Sequence, residues 1–367
     1  MIQVGKPVHG KTFIGREKEI QEIINYIEIG QSVVIIAPRR FGKTSLVIEV
    51  LRRLKSKKKY TGFIDVFEFS TLAELSRSII EEVLDNHGLK KLYQQTKGSI
   101  TALLKNIKLK AVVEDFEFLV GLEDDTVERW SNFSQSIDFI NDFPKKHSSE
   151  MCFAFDEYGD ILKFDEAKAI IKLMRAKIQK QQKAVYIFSG SYESIMDTLF
   201  ISSKSPFYRL AKIIHISYLP FSDLKKYMIK MLKQYDVDYN IKLIEDSIDF
   251  LKGHPYYCQL ALQQMYLYHL SKGKAPSTAI LIDIITNSER SYLEKLWEDI
   301  SSNKESVLTL KHLSTESTGV YAMASHQKIN ASRAIKKLEG AGIIYQEDNA
   351  YHYYDPVFQY WVANTIK

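Results

Sequence analysis

The sequence predicts an α/β fold on a parallel sheet, then an all-helical segment and a small C-terminal helix–hairpin module. Three observations support this. The apolar run Ser32-Val33-Val34-Ile35-Ile36 leads into Ala37–Ser45, APRRFGKTS, and on into Leu46–Leu51. A second apolar run, Met151–Phe155, ends on the acids Asp156 and Glu157. From Ser222 to about Gly273 the pattern is wholly helical, and two short strand-like runs return only after Ile343. Short apolar runs bounded by turns and helical periodicity read as buried strands of an α/β sheet.

A chain of 367 residues is too long for one typical core, so two or three domains are expected. A hydrophobic content of 45% with 26% charge fits soluble globular material. No apolar run approaches the roughly 18 residues of a membrane span, and the start, MIQVGKPVHGK, lacks the apolar stretch of a secretion signal. Cys152 and Cys258 lie among apolar or aromatic neighbours without metal-ligand spacing, as reduced core residues of a cytoplasmic protein would. The net charge of +5 permits nucleic acid without demanding it.

Apolar Ile20, Ile23, Ile24 and Ile27 fall at helical spacing, so a helix should begin near Arg16-Glu17. The preceding Phe13-Ile14-Gly15-Arg16-Glu17 is either an ordinary opening turn or an apolar wall beside a base. The strand–loop–helix that follows has the makeup of a phosphate-binding loop. Backbone N–H groups of Pro38-Arg39-Arg40-Phe41-Gly42, excepting the proline, and of Lys43, Thr44 and Ser45 would wrap a triphosphate, helped by the helix N-terminus. Gly42 permits the close backbone approach, Lys43 would reach the β- and γ-phosphates, and the Thr44 hydroxyl would ligate Mg²⁺.

Arg52–Lys59 holds six basic residues in eight, a nucleic-acid contact or, more commonly, the solvated last turn of a helix. Tyr60–Phe69 is strand-like, and Ser70 is placed to cap a helix through Asn86. Residues 88–150 form an insertion, with a helix over Leu92–Ile107, a hairpin over Leu109–Leu122 and an amphipathic helix from Asp125 to about Phe143.

Asp156 and Glu157 fall at a strand's carboxyl end, where open α/β sheets bind ligands. Two acids there are costly unless a cation compensates, and Mg²⁺·ATP supplies one. Asp156 is assigned to the Mg²⁺ shell and Glu157 to polarising the attacking water. A helix over Ala167–Lys180 and a strand over Ala184–Gly190 follow. At that strand's end Ser189 and Ser191 either sense the γ-phosphate or simply cap a helix. Arg209 is either a charge-stabilising finger, for its own site or a neighbour's, or a surface ion-pair residue. Lys212–Ile216 supplies a fifth strand.

Gly253-His254-Pro255-Tyr256-Tyr257 is either a helix–helix corner or the part of a lid that sets Pro255 against the adenine. Ala275–Trp297 reads as one helical linker. Helices near Ser306–Leu313 and Met323–Lys328, an Asn330-capped helix Ala331–Gly340 and strands Ile343–Gln346 and Tyr351–Tyr354 make a winged helix-turn-helix. Arg333, Lys336 and Lys337 give its third helix a basic face. From Ser301 onward, however, seven Lys/Arg face six Asp/Glu, so binding to double-stranded DNA stands level with a purely protein-contacting or autoregulatory wing; a protein partner or homo-oligomer is a separate expectation.

Assembled, these residues resemble the prokaryotic ATPase family found mainly in archaea, of the STAND branch of AAA+-type P-loop ATPases and akin to origin-recognition initiators. The resemblance runs through FIGRE at Phe13–Glu17, PRRFGKTSL at Pro38–Leu46, FDEY at Phe155–Tyr158, SGS at Ser189–Ser191, SPFYR at Ser205–Arg209, GHPYY at Gly253–Tyr257 and DPVFQYW at Asp355–Trp361. It implies a five-stranded parallel sheet, a helical lid and a C-terminal winged helix, divided near 218 and 300. It also implies ATP or ADP with Mg²⁺ as ligands, with Gly253 and Pro255 contacting the adenine. Ala37 stands where the first glycine of the loop is usual, and Tyr208 where a glycine often precedes the arginine. A nucleotide-gated switch with little turnover, or a DNA-binding regulator with a structural nucleotide site, would use the same residues.

Overall fold

A computed structural model describes residues 4–89, 126–191 and 193–366. The expected helix 92–107 and hairpin 109–122 lie outside the described residues. Strands β1 (Val33–Ile36), β2 (Tyr60–Asp65), β3 (Met151–Asp156), β4 (Ala184–Gly190) and β5 (Lys212–His215) pair in parallel in the order β2-β3-β4-β1-β5. This is the five-stranded parallel sheet expected from the sequence.

Alternating side chains divide between two cores, which is why these runs are apolar throughout. Val33 and Ile35 face helices α1 (Glu17–Glu28) and α2 (Lys43–Ser56), while Val34 and Ile36 face the other layer. That layer holds α3 (Leu72–Asp85), α4 (Thr126–Lys146), α5 (Ala167–Ile178) and α6 (Glu193–Phe200). β2 stops at Asp65 rather than Phe69, because the Asp65 carboxylate accepts the Phe67 N–H at 3.0 Å and turns the chain. The cap of α3 is Thr71 rather than Ser70, since Thr71 and Glu74 close a reciprocal capping box.

The helical segment contains α7 (Phe221–Gln234), α8 (Ile241–Phe250) and α9 (Pro255–Lys272), with Pro255 in the first turn as expected. Gly253 sits at φ 71°, and a Cβ there would lie 2.4 Å from the Leu219 carbonyl oxygen. The expected single linker is two helices, α10 (Thr278–Ser288) and α11 (Arg290–Ser301), which break at Glu289. Then come α12 (Lys304–Thr315), α13 (Val320–Gln327) and α14 (Ala331–Gly340), the hairpin β6 (Ile344–Glu347) and β7 (Ala350–Tyr353), and α15 (Pro356–Thr365). Asn330 Oδ1 accepts the Arg333 N–H at 2.9 Å and caps α14. Gly340, expected as the C-cap, is the last helical residue; Ala341 caps, and Gly342 takes the left-handed φ of 67°. Asp348 and Asn349, at φ 48° and 62°, form the two-residue turn that matches the strand twist. The boundary expected near 300 falls inside one continuous core running from Leu224 to Val362.

Both cysteines are free and buried, with burial pushing each thiol up to about 12. Among the described residues no helix is long and apolar enough to cross a membrane.

Glu49 on α2 fixes the N-terminal segment. Its carboxylate accepts Arg52 at 2.7 and 2.8 Å, Arg53 at 2.9 Å and the Gly10 N–H at 2.9 Å. The Arg52 bonds outweigh burial and, with Gly10 and Arg53, hold the acid down at about 2 against an ordinary 4.5. A depressed acid stabilises the fold above its unfolded pKa, and that stabilisation is lost as pH falls through the folded value. Glu49→Gln should therefore cost about 2 kcal/mol at pH 7. Thermal melts at several pH values should show the gap from the parent closing as pH drops from 4.5 toward 2; a pH-independent gap would refute the assignment.

Candidate active site

The carboxyl ends of β1, β3 and β4 converge on one point. Gly42, at φ 82°, turns the chain from the loop after β1 into α2. Ala37 is fully buried and is not among the residues with positive φ, so the missing glycine costs nothing there. Lys43 is only 4% exposed, and its ammonium donates to the Ala37 and Pro38 carbonyls at 3.1 Å each. Burial pulls its pKa down, against the opposing charges of Glu157 and Asp156.

Asp156, 1% exposed, accepts the Thr44 hydroxyl at 2.5 Å and the Ser189 hydroxyl on its other oxygen. Glu157 follows in a left-handed conformation, φ 43°, and accepts both the N–H and the hydroxyl of Ser191. β4 lies between the loop strand and the acid strand, so its serines meet the carboxylates. Thr44 and Asp156 are two hard oxygens side by side, the donor type Mg²⁺ takes beside phosphate oxygens and water.

A cavity of about 670 Å³ opens from this point, within the range of small-molecule sites. Arg39, Phe41, Gly42, Lys43, Thr44, Ser45, Glu157 and Ser191 line it. The apolar Ile14, Leu219, Leu224, Met228 and Pro255, with Tyr227, line it too. The FIGRE segment and the lid proline, far apart in sequence, thus line one cavity.

Other expected residues lie differently. Gly15, Pro38 and Asp156 are not among the lining residues; Asp156 lies behind Thr44, whose hydroxyl it accepts. Arg16 is, yet its guanidinium is bound to Glu19 and to the Phe41 and Ser217 carbonyls, and burial lowers its pKa. It ties the opening turn to the loop. Arg40 lines the cavity with its guanidinium engaged by Glu289 at 2.7 Å. Although burial works to lower the Arg40 pKa, the Glu289 bond and charge leave it raised. Arg209 does not line the cavity; its guanidinium lies 5.2 Å from the Tyr208 ring.

Asp65, Phe67, Asp160, Lys163 and the Gly5–Val8 segment also line the cavity and were not anticipated. Asp65 carries a signal, an acid in a strand-like run, but reading that strand through Phe69 hid that it ends β2 in register with Asp156. The Gly5–Val8 segment has no such signal; it is held by the Val8 N–H on the Ser45 hydroxyl at 3.0 Å.

A sequence profile of the family described as an ATPase domain predominantly from Archaea matches residues 13–260. No curated protein matches the sequence. Among solved structures, the chain is similar to the Walker-type ATPase paby2304 of Pyrococcus abyssi, at 18% identity and TM-score 0.69, covering 99% of each chain. It is also similar to the ORC2 protein of Aeropyrum pernix in ADPNP–ADP complexes, at 11% identity and TM-score 0.61, covering 99% of this chain and 95% of that one.

Burial raises the Asp65 acid to about 6 from 3.8, against the Phe67 N–H and with help from the charges of Asp156 and Glu157. An acid raised on folding destabilises the fold once ionised, a cost absent near pH 4 and fully present above pH 6. Asp65→Asn, which keeps the oxygen that accepts Phe67, should raise the melting temperature at pH 8 and leave it unchanged at pH 4. An equal shift at both would remove the electrostatic explanation.

Proposed function

The chain belongs to the family of ATPase domains found predominantly in Archaea, and on that premise we propose that it is a Mg²⁺-dependent ATPase coupling nucleotide state to its helical lid and C-terminal module. The observation that carries this is the Thr44–Asp156 contact at 2.5 Å, with Glu157 beside it. Lys43, already stripped of water, would exchange two carbonyl partners for phosphate oxygens. Loop N–H groups would bind the polyphosphate and Pro255 would close over the base. Mg²⁺, held by Thr44 and Asp156, would neutralise charge on the β- and γ-oxygens. Glu157 would orient water and accept its proton, and Ser191, which holds both carboxylate oxygens, would set where that carboxylate points.

Lys43→Ala should abolish ATP binding. Glu157→Gln should keep it and slow single-turnover hydrolysis about 100-fold or more. Equal turnover in Glu157→Gln and the parent would refute the assigned role; binding without turnover in the parent would make the chain a nucleotide-gated switch.

The exposed face of α14, bearing Arg333, Lys336 and Lys337, favours a second function within the same frame. We propose that α12 to β7 act as a winged helix-turn-helix on double-stranded DNA. Titration against salt should give an affinity that weakens uniformly on Arg333→Ala or Lys336→Ala, with the salt slope falling by about one per charge. No binding at low salt would remove this role and leave a protein-contacting module.

A further inference from the structure

The loop residue Arg40 is held by three groups from the helical segment. Its guanidinium lies between two tyrosine faces, 4.3 Å from the Tyr256 ring and 4.2 Å from the Tyr292 ring. Its Nη1 donates to Glu289 Oε2 at 2.7 Å, and the Tyr256 hydroxyl donates to the other carboxylate oxygen at 2.6 Å. Both Glu289 oxygens are thereby fixed, and its side chain is 9% exposed. The parts come from three places: the loop after β1, the first turn of α9, and the α10–α11 break.

Arg40 itself sits at φ 68°, two residues before Gly42. A non-glycine residue keeps such a conformation only where its surroundings over-determine it. A planar cation lying over two tyrosine rings and bonded to a carboxylate is so determined, whereas a lysine would keep the charge and lose the plane. A loop whose N–H groups must point inward depends on that backbone shape.

We propose that Glu289, Tyr256 and Tyr292 are positioning residues that act through Arg40 to hold the phosphate-binding loop in its binding shape. The lid then contributes to diphosphate binding through the loop, besides walling the base. This rests on the nucleotide reading above. ADP and ATP share the diphosphate, so loosening the clamp weakens both alike; interactions made equally in ground and transition states change KM rather than kcat.

The test uses the full chain with fluorescent ADP and ATP analogues, steady-state turnover and melting of the nucleotide-free protein. Glu289→Gln should weaken both nucleotides by the same factor, about five- to twentyfold. Its KM should rise by more than its kcat falls, and its melting temperature should stay within about 3 °C of the parent. Arg40→Ala should behave alike and Arg40→Lys should recover part of the loss. The Arg40→Ala/Glu289→Gln pair should lose no more than the worse single variant, because both remove one interaction. Unchanged affinities, a loss confined to ATP, or additive losses would overturn the proposal. Should Glu289→Gln fold poorly, Tyr292→Leu, at a residue 37% exposed, carries the same expectation. Failure of the parent to bind either nucleotide would instead overturn the nucleotide reading, a distinct result.

Discussion

Everything at the site depends on β4 lying between β1 and β3. The loop after β1 and the acids after β3 belong to strands that never touch. Thr44, in the first turn of α2, spans that gap to reach Asp156, and Ser189 on β4 reaches the same carboxylate from the intervening strand. A buried carboxylate needs hydrogen-bond partners or a cation, and here the sheet order supplies hydroxyls on both Asp156 oxygens. Had β3 followed β1 directly, the serines would have no carboxylate to meet. The same order puts Asp65 one strand further out, in register with Asp156, so burial and then the charges of Asp156 and Glu157 raise the cost of ionising Asp65.

The fold was legible because its signals are local and repeat. Uninterrupted apolar strands, the Gly42-Lys43-Thr44 turn and the Asp156-Glu157 ending all sit within a few residues of the structure they specify. Boundaries slipped where a side chain captured backbone outside the pattern, as Asp65 does with Phe67 and Thr71 with Glu74. The break at Glu289 was not legible at all. Nothing in SERSYLEK marks a helix end, and Glu289 at the break pairs with Arg40, 249 positions away. Likewise Arg40 belongs to the phosphate loop by sequence while its side chain belongs to the lid by contact.

That division between backbone and side chain recurs at Phe41. Its ring is 2% exposed and packs on Tyr218 at 5.2 Å, His254 at 4.7 Å and Tyr354 at 6.2 Å. Three parts of the chain meet there: the exit from the sheet, the GHPYY turn and the end of the C-terminal hairpin. His254, buried with an unpaired Nδ1, is held neutral, its pKa driven down to about 3 by burial and by Arg40. Beside it Tyr257 donates to Asp355 at 2.6 Å, and Tyr218 donates to the Tyr353 and Tyr354 carbonyls. The loop is thus fastened to the lid by Arg40 and to the C-terminal module by Phe41.

Such fastening limits how nucleotide could move the C-terminal elements. A ligand shifts a conformational equilibrium only by its differential affinity for the two states, and a shift from 1:99 to 99:1 takes about 5.5 kcal/mol. The lid and C-terminal helices share one core from Leu224 to Val362, so separating them would expose apolar surface. Any displacement of that body from the sheet must pull Arg40 from its tyrosines and Phe41 from its ring cluster, and the loop then loses what holds its left-handed turn. If the Arg40 clamp acts as proposed, the state that best binds a diphosphate is the state with the lid docked. On that proposal, nucleotide contacts to loop and lid would favour docking together, and opening would become easiest after phosphate contacts weaken, which would give hydrolysis a direction in which to act.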